Sequence, residues 1–195
     1  MPRLDPSAPL VLDVRGLGRR AGAMITVQRT AQAPSDLGTV VISVPEGTDI
    51  ELDLQLESVV EGVYITGTAT VRAVGECSRC LDPMVSETVV GLQELYRYPN
   101  DDHRSGDDDD ELPELEDDLL DLEPTLRDAV VLALPLAPLC RDDCPGLCSE
   151  CGVRLAEEPE HAHDQFDPRW AALGQLTETD DLPGDAGDER PREEG

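Results

Sequence analysis

At 195 residues the chain is long enough for one compact domain. With 39% hydrophobic residues, five aromatics and a net charge of −28, however, much of it lacks the apolar surface needed to pack. An ordered core of roughly 120 to 140 residues is expected from typical domain sizes. The charge is uneven, net −5 over residues 1–100 and net −23 over residues 101–195. Such a surface repels phosphate, and without a basic stripe or a set of stacking aromatics it lacks the usual means of gripping RNA or DNA directly, so the natural partner is a basic protein.

The N-terminal residues hold no sustained apolar stretch, and no run is long enough to cross a bilayer, which points to the cytoplasm and away from a membrane. Residues 40–44 and 50–59 alternate apolar and polar side chains. Ile50, Leu52, Leu54 and Leu56 face one way, and Glu51, Asp53, Gln55 and Glu57 the other, the period of half-buried strands. Residues 63–74 repeat the pattern, with Val63, Ile65, Ala69, Val71 and Ala73 opposite Thr66, Thr68, Thr70 and Arg72, and 84–96 supply a further β-rich stretch. Short connections make the sheet antiparallel.

Residues 100–123 hold 13 acids and one arginine, including the run Asp107, Asp108, Asp109 and Asp110, and read as a solvated linker. After it Leu122, Leu126, Ala129, Val130, Ala133 and Leu134 recur at helical spacing. Pro124 suits a first turn and Pro135 ends the pattern, so one amphipathic helix of about three turns should pack on the sheet. A short cysteine-rich stretch follows, then a brief helix capped by Asp167, and a tail rich in Asp, Glu, Gly and Pro.

The expected organisation is α+β. Residues 10–98 form an antiparallel β domain, 99–121 an acidic disordered linker, 122–135 a helix packed on the sheet, 138–176 a Cys/His-rich module, and 177–195 a disordered acidic tail.

Six cysteines in a reducing compartment, set as one C-x2-C pair and a tight group of four, suggest metal before disulfides. In Cys148-Ser-Glu-Cys151-Gly152 two thiolates can converge on one ion while glycine takes the tight turn. That is half a zinc site. Either Cys140 and Cys144 or His161 and His163 could complete it, so four of these six are expected as ligands of a closed structural centre, which leaves no coordination position for a substrate. The bland alternative is that Cys140 and Cys144 are ordinary thiols and the histidines ordinary loop residues. Cys77 and Cys80 form a second pair at the bend between two strands, either half of another metal site or one knuckle of a two-knuckle ribbon. A redox role for them is weaker, because a thioredoxin-like cysteine sits at a helix N-terminus and here the motif runs into a strand. No nucleophile elbow, phosphate loop or H-E-x-x-H motif is present, and no enzyme is expected.

Taken together, Leu12-Asp13-Val14-Arg15, the stretch from Gly75 through Cys77-Ser-Arg-Cys80 to Leu81, the acidic insert, Leu132-Ala-Leu-Pro-Leu136, Cys144-Pro-Gly-Leu-Cys148 with Cys151-Gly152, and Asp167-Pro-Arg169 resemble the YceD family of large ribosomal RNA subunit accumulation proteins, in an actinobacterial-type member. The resemblance spans roughly residues 10–176. Family members often carry C-x-C where this chain has His161-Ala-His163, a swap that keeps metal-ligand chemistry. The resemblance implies a non-enzymatic role in ribosome biogenesis supporting 23S ribosomal RNA, through a basic ribosomal protein or a large-subunit assembly intermediate. The competing readings are direct binding of ribosomal RNA through Arg15, Arg19, Arg20 and Arg29, and thiol redox chemistry at Cys77 and Cys80.

Overall fold

A computed structural model describes residues 4–99 and 113–163. The strands, in chain order, are β1 (Val11–Asp13), β2 (Met24–Gln32), β3 (Leu37–Gly38), β4 (Ile42–Val44), β5 (Asp49–Ser58), β6 (Gly62–Glu76), β7 (Pro83–Arg97) and β8 (Leu119–Asp121), followed by the helix α1 (Glu123–Ala133). All named strand pairings are antiparallel. Together with the helix they make the α+β architecture expected from the alternating patterns.

The long strand β6 organises the sheet. β7 pairs with it from end to end, Gly62 opposite Arg97 and Glu76 opposite Pro83. Its other edge is shared. β5 takes the first half, with Leu52 opposite Ala69 and Leu56 opposite Ile65, and β4 takes the end, with Ile42 opposite Gly75. β2 extends the sheet beyond β5, and β3 beyond β4.

Alternation decides which face is covered. Ile50, Leu52, Leu54 and Leu56 of β5, Val63, Ile65, Ala69, Val71 and Ala73 of β6, and Val90, Leu92 and Tyr96 of β7 share one buried cluster. α1 lies over this face against β7 and β3, inserting Leu126 and Val130, both fully buried. Its start is fixed by the Asp121 carboxylate, which accepts from the Glu123 amide at 3.0 Å, with Pro124 in the first turn. Its end follows from Pro135, which holds the preceding Leu134 extended (φ −70°, ψ 137°). Arg127 ties the helix flank to the turn before β3, donating to the carbonyls of Asp36 and Ser35 at 2.6 and 3.0 Å. The Tyr96 hydroxyl, buried below the helix, donates to the Asp121 carbonyl at 2.8 Å and meets the Thr125 hydroxyl at 2.6 Å, so its polar tip is satisfied inside the core.

Two features depart from the expected organisation. β2 carries the same alternation as its neighbours, but Arg29 stands on its inner face in line with Ile25, Val27 and Ala31, and interrupts the apolar stripe. The structure accommodates it by letting its guanidinium donate to the Val11 carbonyl at 3.3 Å. The acidic linker expected over 99–121 does not hold for residues 113–121. Residues 113–121 are folded: Leu115, Leu119 and Leu120 are buried, and β8 pairs with β1 to form a separate ribbon packed into the same core. The acids of this stretch face outward while its leucines point inward, and the chain reverses at Asp117 and Asp118, both with positive φ. The Asp107 run, the Asp167 helix and the 177–195 tail lie outside the described residues. Among the described residues no helix is long and apolar enough to cross a membrane.

Candidate metal centres

The six cysteines and two of the histidines fall into two groups of four. Cys77, Cys80, Cys140 and Cys144 form one, and Cys148, Cys151, His161 and His163 the other, with the ligand atoms of each group all within 4.8 Å of one another. The local run of Cys140, Cys144, Cys148 and Cys151 does not converge. Of the two candidate completions of the Cys148–Cys151 pair, the histidines lie beside it and Cys140 and Cys144 do not. These two cysteines face the Cys77–Cys80 pair of the β6–β7 turn instead.

A turn at Pro145 and Gly146 accounts for the separation. Gly146 has φ +80°, and a Cβ there would lie 3.1 Å from the Arg79 carbonyl. On either side of it the chain is pinned to Arg79, whose guanidinium donates to the Cys144 carbonyl at 2.9 Å and whose carbonyl accepts from the Leu147 amide at 3.1 Å. Cys144 is thereby turned into the β6–β7 bend and Cys148 away from it. Asp82 and Arg154 add an ion pair across the same junction.

The two C-x2-C segments have the same backbone. The Cys77 amide donates to the Asp82 carbonyl at 2.9 Å and the Leu81 amide to the Cys77 carbonyl at 2.9 Å. In the second segment the Cys148 amide donates to the Val153 carbonyl at 2.8 Å and the Gly152 amide to the Cys148 carbonyl at 2.9 Å. The residue after each pair has positive φ, +74° at Gly152 and +60° at Leu81. Glycine adopts that conformation freely and leucine does not. Sequence reading saw the turn at Gly152 and missed its counterpart at Leu81, where the equivalent position carries a side chain.

These knuckles prepare thiolates. Amides of Cys140, Cys80 and Arg79 donate to the Cys77 sulfur and lower its pKa to about 6. At Cys148 the amides of Cys151 and Glu150 do the same, aided by His161, again to about 6. Cys80 goes the other way. The Asp82 amide favours its thiolate, but desolvation and the neighbouring Cys77, Asp82 and Cys144 outweigh it and push the thiol up to about 12. Cys140 is raised chiefly by Cys144. Clustered sulfurs compete for negative charge, and a cation among them relieves that competition.

In the second group the His161 and His163 Nε2 atoms are 2.9 Å apart and each lies 3.2 Å from the Cys151 sulfur. Their Nδ1 atoms face carboxylates, Glu158 at 3.5 Å and Glu150 at 3.3 Å. A carboxylate behind the distal nitrogen is the arrangement that orients a metal-binding imidazole. Both groups could hold a metal ion. The four arginines considered as an RNA patch are largely engaged at home: Arg15 with Asp13 at 3.7 Å, Arg19 with Asp118 at 3.4 Å and over the Tyr98 ring at 4.8 Å, and Arg29 with the Val11 carbonyl. Arg20 contributes its carbonyl to a turn, accepting from the Ala23 amide.

Fold and site define a β-sheet protein with one packed helix and a Cys/His appendage suited to metal. The chain belongs to the YceD family, described as large ribosomal RNA subunit accumulation protein, whose profile matches residues 65–177, from β6 through both Cys/His groups. Similar proteins include the uncharacterized protein Rv2926c of Mycobacterium tuberculosis, 45% identical over 92% of this chain and 87% of its own length. The uncharacterized protein ML1660 of Mycobacterium leprae is 42% identical over 89% of this chain and 80% of its own. The uncharacterized protein YlbN of Bacillus subtilis is 28% identical over 54% and 60%. No solved structure matches the chain.

Proposed function

We propose that the chain is a cytoplasmic, non-enzymatic ribosome biogenesis factor that supports large-subunit assembly and accumulation of 23S ribosomal RNA, with structural zinc in its Cys/His groups. Membership of the YceD family is the observation that carries this reading. Its mode of action is to hold a basic ribosomal protein, or an assembly intermediate displaying one, against the acidic second half of the chain, which has a net charge of −23 over residues 101–195. Ribosomal RNA is then reached indirectly. Direct RNA binding finds less support, because Arg15, Arg19 and Arg29 already have partners in their own chain. A thiol redox role for Cys77 and Cys80 is also disfavoured, since each is surrounded by further thiols in a four-ligand set and neither begins a helix.

Purified chain mixed with the extracted proteins of the large subunit should retain a basic subset at low salt and release it as salt rises from about 50 to 500 mM, where the screening length shrinks several-fold. Changing Asp107, Asp108, Asp109 and Asp110 together to asparagine should weaken retention at low salt. Binding indifferent to both salt and these four charges would rule out the electrostatic mode of action.

A further inference from the structure

We propose that the chain binds two zinc ions in two separate tetrahedral centres, and that the tetrathiolate centre formed by Cys77, Cys80, Cys140 and Cys144 is the tie that fixes the C-terminal module to the β6–β7 turn. This deepens the structural-zinc part of the reading above and does not depend on the ribosomal part. Two ions in a chain whose depletion left 23S RNA unchanged would keep the one and remove the other.

The distances carry the count. A tetrahedral ion with zinc–sulfur bonds of about 2.3 Å holds its sulfurs about 3.8 Å apart. Cys77 and Cys144 are 3.8 Å apart, and Cys80 and Cys140 are 3.7 Å apart. A disulfide would require about 2.05 Å. In the second centre the sulfur–nitrogen and nitrogen–nitrogen separations of 3.2 and 2.9 Å lie a few tenths inside the edges of about 3.3–3.6 Å expected for mixed ligands around zinc. Each set supplies four donors, which closes the coordination sphere. The carboxylates behind both imidazoles make the second set a built site rather than a chance grouping.

The two centres differ in what they join. The second draws its ligands from a single local segment, 148–163, and Cys151 is exposed. The first joins residues 67 and 60 positions apart, and three of its four cysteines, Cys77, Cys80 and Cys144, are buried while Cys140 is exposed. Among the described residues little else holds the module there. The only hydrophobic cluster at the junction among the described residues consists of those three buried cysteines with Leu139 against them, supplemented by the Arg79 hydrogen bonds, the Asp82–Arg154 pair and the Ser78 amide on the Pro138 carbonyl. The module shows no larger apolar cluster than this one among the described residues, and a segment so placed depends on metal for its position.

Native mass spectrometry of the full chain purified without chelator should show two zinc ions. Mild chelation should remove one first, the exposed Cys148–His163 ion, leaving a one-zinc species in which the chain between α1 and Cys144 still resists protease. Cys77→Ser with Cys80→Ser should leave one ion and open that stretch to cleavage, whereas Cys148→Ser should leave one ion and keep it protected. Titration of metal-free chain with cobalt should saturate at two equivalents with the charge-transfer intensity of six cobalt–thiolate bonds, a readout that needs no variant to fold. One zinc or none in the unchanged chain, iron in place of zinc, or protease resistance unaltered by loss of Cys77 and Cys80 would overturn the proposal.

Discussion

Gly67→Ala should destabilise the protein by about 4 kcal/mol, at the upper end of what a single substitution does. Gly67 lies in the middle of β6 on the core-facing register shared by Ile65 and Ala69, opposite Leu54 of β5, with φ +155°. A Cβ built there would lie 2.2 Å from the Asp53 carbonyl oxygen and 2.8 Å from the Leu54 Cα, both backbone atoms of the neighbouring strand. Neither can swing aside as a side chain would, so relief requires the β5–β6 pairing to part. Glycine usually weakens a strand interior, and its presence here is explained by the close approach of the adjacent backbone. Gly91, in β7 opposite Thr68, is the natural control, since a Cβ there meets nothing within 4 Å. Denaturant midpoints should fall sharply for Gly67→Ala at little change in slope and stay near the parent value for Gly91→Ala. Equal midpoints for the two would show that the β5 backbone leaves room for a Cβ at position 67.

Leu126→Ala should cost about 2–5 kcal/mol, the range for emptying a leucine-sized volume in a core that cannot fully collapse. Leu126 is fully buried between α1 and the sheet, and only Val130 accompanies it among the buried residues of the helix proper. Eleven residues give about three turns, too short to be stable alone, so this helix exists because its apolar stripe is covered. Leu132, 86% exposed on the same helix, should tolerate alanine within about 0.5 kcal/mol. Thermal or chemical unfolding of the pair separates the two positions, and similar losses at both would mean the helix is docked by a different face. Because the chain runs from α1 through Pro135 to Cys140, the helix also sets where Cys140 and Cys144 of the four-cysteine group begin.

The elements that alternate without interruption were legible in the sequence. β5 and β6 follow from the strict period of their apolar residues, β7 from its β-rich composition, and α1 from its helical spacing and flanking prolines. β2 has the same period, but Arg29 falls on the apolar side, and only the folded arrangement shows a carbonyl waiting for it. β1 and β8 are three residues each, too short to establish a period, and β8 follows closely on a run of acids whose charge masked Leu115, Leu119 and Leu120. Charge density suggests a linker only when no regularly placed apolar residues interrupt it.

The residue types of the two candidate groups were legible as well, because C-x2-C and closely spaced histidines have a local chemical meaning. Their partition was not. Whether Cys144 joins Cys148 or Cys77 depends on a turn at Gly146 and on the hairpin that brings residue 79 beside it, both products of long-range folding. Local spacing left both completions of the Cys148–Cys151 pair open, whereas the topology places Cys140 and Cys144 against a strand turn some sixty residues earlier. The equivalence of the two knuckles was hidden for a simpler reason, a leucine at +60° where the second motif has glycine.

The most direct test of the ribosomal role is the ribosome profile of cells depleted of this protein, with mature and precursor 23S RNA quantified against 16S. A deficit of large subunits with mature 23S RNA lowered and 16S RNA maintained is the expected result. A normal profile with normal 23S RNA would contradict the assignment of this chain to large-subunit assembly.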